Sequence, residues 1–407
     1  MFDFMLSPEE KSFALEVREF VKTVPANMIR DMDAGRLETG RPFIEMAAAR
    51  KVLGPRFPKA LGGRELNWAA EVAAVEEVGV LGNSLSCAYV MPSIVGEALN
   101  RFGTEEQKKK YLLPTLEGKL YSAEALTEPR GGSDFFGATT TAVKEGNRFR
   151  LNGEKRFVVG AQDSDWFLVY AKSDPAAPPH ESISCFIVER AMGVKVQNLY
   201  QLMGTRGGGT GRLVFKDVMV PEENLVGDLH QAYAIFNRMM IPERLLSGAG
   251  AVGAGRAALE VAARYSTRRK AFGRTIDQFQ AINFMVADSV TLLDGARALV
   301  LAAARKVDAG EDARRLVSEA KKAGTEAAWQ VINNAMQIMG GIGYTTVYPI
   351  ERLLRDCRLA MIWTGTNQIM NLLIQHEYYK ELKRSAGQAR DIEPDALNPE
   401  EEEKHYG

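Results

Sequence analysis

Apolar positions along the first third of the chain recur at intervals of three and four residues. The segments FALEVREFV, FIEMAAARKVL and AAEVAAVEEVGVL show this spacing between Ser7 and about Gly118. The spacing puts the apolar side chains on one face of an α-helix, because such a helix has 3.6 residues per turn. The pattern therefore predicts an N-terminal helical domain over residues 1–119.

Between Leu120 and Val226 the pattern changes to short runs rich in β-branched and aromatic residues. Gly, Pro and Asp, which are typical of turns between strands, separate NRFRLNGEKRFVV, WFLVYAK, SISCFIVE and RLVFKDVMV. After Val226 the helical spacing returns in long segments rich in Ala, Leu and Met, and it continues to about Leu382. We predict a middle β domain over residues 120–227 and a C-terminal helical bundle over residues 228–384.

This order of helices, strands and helices lacks the alternating strand and helix units of a doubly wound nucleotide-binding sheet. A literal GxGxxG occurs at Gly248, Gly250 and Gly253, but it follows PERLLS rather than a strand. We interpret these glycines as small residues that let two helices approach closely. The last segment, residues 385–407, is acidic, contains proline and has few apolar side chains, so we expect a loosely attached tail.

Charge and composition exclude several classes of function. Lys plus Arg number 51 and Asp plus Glu 52, so a net charge of −1 gives no field to attract nucleic acid or an anionic membrane. The chain has no signal-peptide-like start and no stretch of about 18 apolar residues, so we expect a soluble, cytoplasmic protein. Cys87, Cys185 and Cys357 fit no metal-ligand spacing, and we expect reduced, structural thiols and no metal site.

Three segments that lie far apart in the sequence carry a family resemblance. They are YSAEALTEPRGGSD at 121–134, RRKAFG at 268–273 with Gln278 and Gln280 beyond it, and a third region with QIMGGIG at 337–343, YPIERLLRD at 348–356 and TGTNQ at 364–368. In this order and over nearly the whole chain, they resemble the motifs of the acyl-CoA dehydrogenase family. The resemblance implies a mostly helical fold with a central β-barrel-like domain and a C-terminal four-helix bundle.

The resemblance also implies FAD as the cofactor. From the residues themselves, Thr127 and Ser133 offer hydroxyls beside flexible glycines, and the guanidinium of Arg269 suits a pyrophosphate. An ordinary turn and a solvated helix end are the plain alternatives. By resemblance, the residues expected to contact FAD are Tyr121, Leu126, Thr127, Gly132, Ser133, Phe157, Val159, Arg269, Phe272, Gln280, Gln337, Gly341, Thr366 and Gln368.

Two consequences of the resemblance concern assembly and flavin reactivity. Arg269, Phe272, Gln337 and Gly341 would reach the FAD of a neighbouring subunit, which implies a homotetramer built as a dimer of dimers. Val159 departs from the family pattern, because relatives often place a threonine hydroxyl near flavin N5 at this position. We expect this change to alter the flavin potential or its reactivity with oxygen.

The reaction of the family requires a carboxylate that removes the proton α to the thioester carbonyl in a dry site. Many members carry this glutamate immediately before the Gly-Thr of the third motif, where this sequence has Thr364. In isovaleryl-CoA dehydrogenase the glutamate lies on an earlier helix directly before an arginine, and Glu243 precedes Arg244 in the same way. Pro242 indicates a kink or a helix start there, and apolar neighbours favour a raised pKa.

We therefore predict Glu243 as the catalytic base, and the resemblance implies that the backbone N–H of Thr364 donates to the enolate oxygen. The plain alternative is a glutamate in a first helical turn, stabilised by the helix dipole. By resemblance Arg244 helps to bind the CoA arm. Expected substrate contacts are Tyr89, Val90, Met91, Ser133, Arg244, Trp363 and Gly365.

The relocated base predicts a reshaped acyl pocket. Branched or ring-bearing acyl-CoA esters are the expected substrates, with isovaleryl-type esters and 2-substituted succinyl esters such as benzylsuccinyl-CoA among them. Electrons would pass to electron-transfer flavoprotein. An enoyl-CoA reductase, an acyl-CoA oxidase and a non-catalytic acyl-CoA-binding flavoprotein remain as alternatives.

Overall fold

Packed helices form the N-terminal part of the computed structural model, which describes residues 3–385 and 387–395. These helices are α1 (Pro8–Lys22), α2 (Ala26–Asp33), α3 (Arg41–Ala49), α4 (Trp68–Gly79), α5 (Asn83–Phe102), α6 (Glu105–Gln107) and α7 (Leu113–Leu116), with a π-helical turn at Lys108–Leu112. Ser7 caps α1 by accepting the Glu10 N–H at 3.2 Å. Every residue of α4 is buried, so this helix lies at the centre of the packing.

A mixed sheet follows the helices. Its strands are β1 (Ser122–Ala125), β2 (Thr141–Glu145), β3 (Arg148–Val158), β4 (Trp166–Lys172), β5 (Ile183–Glu189), β6 (Lys195–Leu199), β7 (Gly211–Pro221) and β8 (Leu225–Val226). The strand order is β6-β7-β3-β2-β4-β5-β8, and β1 pairs in parallel with β4 so that Glu124 lies opposite Leu168. Ala123 and Ala125 belong to the core of the sheet, so the alternation of a strand turns Glu124 to the opposite face.

Long helices return after the sheet. They are α8 (Ala232–Ser266), α9 (Gln280–Asp308), α10 (Arg314–Met339), α11 (Ile350–Ala360) and α12 (Asn367–Arg384), and a small hairpin joins β9 (Lys270–Ala271) to β10 (Arg274–Thr275). Helix α8 packs against α10, α9, α4 and α5, so it links the bundle to the N-terminal helices. The predicted fold class, mostly helical with a central β domain and a C-terminal bundle, is confirmed. The exact domain boundaries stay a prediction.

Short 3-10 segments connect several of these elements. They are Asp3–Met5, Lys59–Leu61, Phe135–Gly137, Pro179–Glu181, Arg190–Met192, Glu222–Asn224, Ile276–Gln278, Gly340–Tyr344 and Glu393–Asp395.

The glycines of the GxGxxG sequence lie inside α8 and face other helices. A Cβ added at Gly253 would lie 2.1 Å from the Glu76 carbonyl oxygen of α4, and one added at Gly248 would lie 2.8 Å from the Ala320 carbonyl oxygen of α10. Only a residue without a side chain allows backbones this close. The interpretation of these glycines as helix-packing residues is therefore confirmed.

The structure also bears on the expectations about the cysteines, membrane-spanning segments, metal sites and the acidic tail. Cys87, Cys185 and Cys357 are buried and unpaired. Among the described residues no helix is long and apolar enough to cross a bilayer, and no His, Cys, Asp and Glu side chains cluster as metal ligands would. Much of the expected acidic tail, namely residue 386 and residues 396–407, lies outside the described residues.

Candidate active site

Glu243 lies inside α8 and faces the β sheet. The helix begins at Ala232 and includes Pro242, so the expected helix start at this point is wrong, and so is the alternative of a glutamate in a first turn. The Glu243 side chain is half-buried and faces Glu124 of β1 and Cys87 of α5. Burial raises its pKa above the ordinary value, against the opposing effects of a hydrogen bond with Glu124 and the charge of Arg244. A carboxyl group with a raised pKa suits proton abstraction near neutral pH.

The turn that contains Thr364 packs on the same part of α8. Trp363 donates its indole N–H to Ser247 Oγ at 2.7 Å, one helical turn beyond Glu243. Thr364 has a left-handed backbone with φ of 54°, and its Oγ1 is buried without a hydrogen-bond partner in the described part of the chain. The Thr364 N–H likewise has no acceptor among the described residues. The turn thus presents a free backbone donor on the stretch of α8 that carries the glutamate.

Two buried cations hold this turn. Arg244 donates from Nε to the Thr364 carbonyl oxygen at 3.3 Å, and Lys321 donates from Nζ to the Gly365 carbonyl oxygen at 2.9 Å and to Asn367 Oδ1 at 2.8 Å. Burial, with the nearby Arg244 charge, lowers the pKa of Lys321 to about 7. Burial also lowers the pKa of Arg244, to about 10. Arg244 therefore has a partner within the turn, and its expected contact with the CoA arm stays a prediction.

A second loop is anchored by a buried ion pair. Lys155 Nζ lies 2.8 Å from Glu128 Oε1 and donates to the Leu126 carbonyl oxygen at 3.1 Å. Although burial acts in the opposite direction, Lys155 and hydrogen bonds from Thr139 and Thr140 lower the pKa of Glu128 to about 2. The loop that carries Thr127, Gly132 and Ser133 leaves this anchor and is accessible.

Phe157 lies beside that loop on an open face. Its ring is 50% exposed, and its φ of 58° is in the left-handed region that side chains rarely adopt. The neighbouring Arg156 N–H donates to the Thr127 carbonyl oxygen at 2.8 Å, which joins the two segments. An exposed aromatic ring held in an unfavourable conformation beside free hydroxyls indicates a site for a planar ligand.

Three comparisons with known proteins identify the family. Models of the acyl-CoA dehydrogenase N-terminal, middle and C-terminal domains match residues 7–119, 123–218 and 233–378. This chain belongs to the acyl-CoA dehydrogenase family. It is 36% identical to a 3-(aryl)acrylate reductase of Clostridium sporogenes over 84% of this chain and 91% of the relative. It is 35% identical to CarC, a subunit of the caffeyl-CoA reductase-Etf complex of Acetobacterium woodii, over 90% and 97%.

A solved structure in the same acyl-CoA dehydrogenase family matches nearly the whole fold. Butyryl-CoA dehydrogenase from Megasphaera elsdenii is 29% identical and superimposes with a TM-score of 0.88, which covers 92% of this chain and 99% of that chain. The predicted family and the predicted class of enzyme, an oxidoreductase acting on CH–CH bonds, are confirmed. FAD is confirmed as the cofactor at the level of the family. The accessible hydroxyls of Thr127 and Ser133 and the exposed ring of Phe157 fit a flavin.

The structure separates the other expected acyl-CoA dehydrogenase site residues into buried and exposed groups. Tyr121 is enclosed beside Arg41, and the Tyr89 hydroxyl donates to the Val52 carbonyl oxygen at 2.6 Å. Buried with them are Val90 and Met91, whereas Leu126, Val159, Trp363, Gly365 and Thr366 are half-buried. The remaining expected residues lie on the surface of the described chain and are Arg269, Phe272, Gln280, Gln337, Gly341 and Gln368. Their contacts with FAD or substrate stay predictions.

Glu124 was not predicted from the sequence. One of its carboxyl oxygens, Oε1, is buried without a partner in the described residues, and the carboxyl group shares a hydrogen bond with Glu243. Burial and the nearby Glu243 raise its pKa well above the ordinary value. The alternation in the strand SAEA, with small apolar residues on one face and Ser122 and Glu124 on the other, was the available signal.

Proposed function

We propose that this chain is an FAD-dependent acyl-CoA dehydrogenase in which Glu243 is the catalytic base. The observation that supports this role most strongly is the packing of the turn of Thr364 and Gly365, whose residues offer no carboxylate, on the stretch of α8 that carries Glu243. Arg244 fixes this turn on α8 directly after the glutamate. A half-buried carboxyl group beside a free backbone donor is the arrangement that α-proton removal requires.

The proposed reaction divides the work between two groups of this chain. The thioester carbonyl oxygen accepts a hydrogen bond from the Thr364 N–H, which stabilises the charge that develops there. The α C–H bond breaks, its proton forms an O–H bond on Glu243, and the electron pair enters the enolate. Bound FAD supplies the acceptor for the β-hydride. Thr127, Ser133 and Phe157 would hold the flavin, and the side chain of Thr364 needs no chemical role.

The proposed substrate is an acyl-CoA with a ring-bearing or branched chain. Relatives that act on 3-(aryl)acrylates and on caffeyl-CoA favour the ring-bearing option. A succinyl-type chain carries a free carboxylate, which needs a buried cationic partner. Arg244 and Lys321, the buried cations beside the turn, are engaged with its carbonyl oxygens. We therefore rank isovaleryl-type esters second and benzylsuccinyl-CoA third.

The proposal also includes the electron-transfer partner and the direction of the reaction. The similarity to a subunit of a caffeyl-CoA reductase-Etf complex favours an electron-transfer flavoprotein as the partner. The names of two relatives also make the reverse reaction, reduction of an enoyl-CoA, the second candidate function. Mixing the reduced enzyme with enoyl-CoA esters tests that direction. The cytoplasmic location stays a prediction.

We also propose a homotetramer. The Phe272 ring is 96% exposed in the single chain, and Arg269, Gln337 and Gly341 lie on the surface as well. Tyr344 and Val347 are further large apolar side chains that are exposed in the single chain, and large exposed apolar surfaces mark interfaces. Light scattering of the purified FAD-loaded protein should give four times the chain mass; a monomer would contradict the proposal.

Anaerobic mixing with a panel of acyl-CoA esters tests the base directly. The wild-type flavin should bleach with ring-bearing or branched esters. Glu243→Gln should keep FAD but reduce it about 10²–10⁴-fold more slowly, because the side chain can no longer accept a proton. Glu260→Gln on the exposed face of the same helix is the control and should behave as wild type. Near wild-type reduction by the Glu243→Gln variant would eliminate Glu243 as the base.

A further inference from the structure

A second carboxyl group meets Glu243 from the sheet. Glu124 lies in β1, whose Ala123 and Ala125 side chains occupy the core of the sheet, so Glu124 projects towards the helices. There its carboxyl group shares a hydrogen bond with that of Glu243. Two carboxylates cannot accept from each other, so one of the two carries a proton in this contact.

Within the described part of the chain, Glu124 forms no ion pair with a cation. The charge of buried Lys155 acts on Glu124, but its Nζ is already bonded to Glu128 and to the Leu126 carbonyl oxygen. The Tyr170 hydroxyl lies 2.8 Å from Met239 Sδ and also hydrogen-bonds the Glu124 carboxyl group, which lowers the pKa of Glu124 but does not offset its burial. Glu124 Oε1 is left buried without a partner among the described residues. An isolated carboxylate in such a place is unfavourable, whereas a neutral carboxylic acid is tolerated.

We propose that Glu124 is a positioning residue that keeps one proton and donates it to Glu243, which holds Glu243 as the carboxylate that removes the α-proton. This inference rests on the proposed function of Glu243. During the reaction the substrate C–H bond breaks and the new O–H bond forms on Glu243. Glu124 keeps its own proton throughout, so the pair ends with two neutral carboxyl groups.

The charged and titratable surroundings agree with this assignment of the proton. Glu243 has Arg244 beside it, which favours its ionised form, while burial and the nearby Glu243 raise the pKa of Glu124 against the opposing effects of the Lys155 charge and a hydrogen bond with Tyr170. Coupled carboxyl groups in a dry site ionise one after the other. The groups that face the pair are Cys87 of α5, Lys155 of β3, Tyr170 of β4, Cys185 of β5 and Arg244 of α8, with Arg314 and Lys321 of α10 beyond Arg244.

Two substitutions separate the possible roles. Glu124→Gln keeps the shape and an N–H donor but cannot ionise, and Glu124→Leu removes the donor. The pH dependence of kcat/KM reports the ionisation of the base in the free enzyme. The acid limb of this pH profile should stay near that of wild type in Glu124→Gln. In Glu124→Leu it should move to higher pH by on the order of one unit, because loss of the donor disfavours the Glu243 carboxylate.

The alternatives give different profiles. If Glu124 were ionised, both variants would move the acid limb to lower pH, and if it were only structural, neither would move it; either result overturns the proposal. Glu145→Gln, an exposed carboxyl group of β2 paired with Arg150, is the control and should keep the wild-type profile. Infrared difference spectra between wild type and each variant add a readout that is independent of turnover. The band of the protonated carboxyl group should be lost in Glu124→Gln and kept in Glu243→Gln.

The proposed function and this inference can fail separately. An active Glu243→Gln variant would show that Glu243 is not the base, and the role proposed for Glu124 would be rejected with it. If Glu243→Gln were inactive but the pH profile of Glu124→Leu equalled that of wild type, only the role proposed for Glu124 would be rejected.

Discussion

The indole N–H of Trp363 meets Ser247 Oγ at 2.7 Å, one helical turn beyond Glu243 on α8. This contact connects the turn of Thr364 to the helix that carries the proposed base. The turn and the helix are far apart in sequence, so their relative position depends on a small set of tertiary contacts. Loss of this contact should therefore affect catalysis.

Ser247→Ala should lower kcat/KM by about five- to tenfold, because an indole N–H left without an acceptor costs about 1–3 kcal/mol and loosens the turn. Steady-state kinetics and the FAD content of the purified variant check this. Ser266→Ala removes a hydroxyl of the same helix that bonds only to the Ala263 carbonyl oxygen, and it should keep wild-type kinetics. Equal effects of the two substitutions would argue against a special role for Ser247.

Lys155→Met should destabilise the protein by about 3–5 kcal/mol, because it leaves Glu128 buried without its cation. Thermal or urea unfolding of the FAD-loaded protein measures the loss. The exposed pair of Lys144 and Glu222 provides the control, and Lys144→Met should change stability by less than about 1 kcal/mol. A small effect at Lys155 would show that the pair does not anchor the loop.

Gly253→Ala should destabilise the protein by about 1–3 kcal/mol, since the new Cβ would lie 2.1 Å from the Glu76 carbonyl oxygen. Gly295 lies on the exposed face of α9 with open space around a Cβ. Its replacement by alanine should be neutral or stabilising by about 1 kcal/mol, because alanine favours the helix. Unfolding midpoints of the two variants, measured side by side, test the difference.

The ionisation of Glu10 should make part of the folding stability depend on acidic pH. Although burial acts in the opposite direction, hydrogen bonds with Arg305 and Asn67 lower the pKa of Glu10 from 4.5 to about 2. A lowered folded-state pKa gives stability that is present above about pH 4.5 and lost as the pH falls towards 2. Glu10→Gln should therefore be less stable than wild type at neutral pH, and the two should converge below pH 4.5. Parallel curves of unfolding free energy against pH would contradict this.

The architecture predicted from the sequence is confirmed, and Glu243 stays a prediction as the base; its carboxyl neighbour Glu124 was not predicted. Helical and strand periodicities depend on local spacing, so the order of elements could be read directly, as could the packing role of Gly248 and Gly253. Pro242 was expected at a kink or a helix start, yet α8 runs through it because packing on both sides outweighs one lost hydrogen bond. Glu124 meets Glu243 only because β1 pairs with β4 and faces the helices. The alternation in SAEA indicates that Glu124 points away from the core of the sheet, but a local pattern does not show which helix it meets.

Helix α8 carries both the carboxyl group of the proposed base, Glu243, and the tightly packed Gly253. At about 1.5 Å per residue, Glu243 and Gly253 are separated by about 15 Å along this helix. A substitution that pushes the helix at its crossing with α4 would also move the Glu243 carboxyl group relative to the thioester of the proposed reaction. Acyl preference can therefore drift during evolution through changes at positions that never touch the acyl chain.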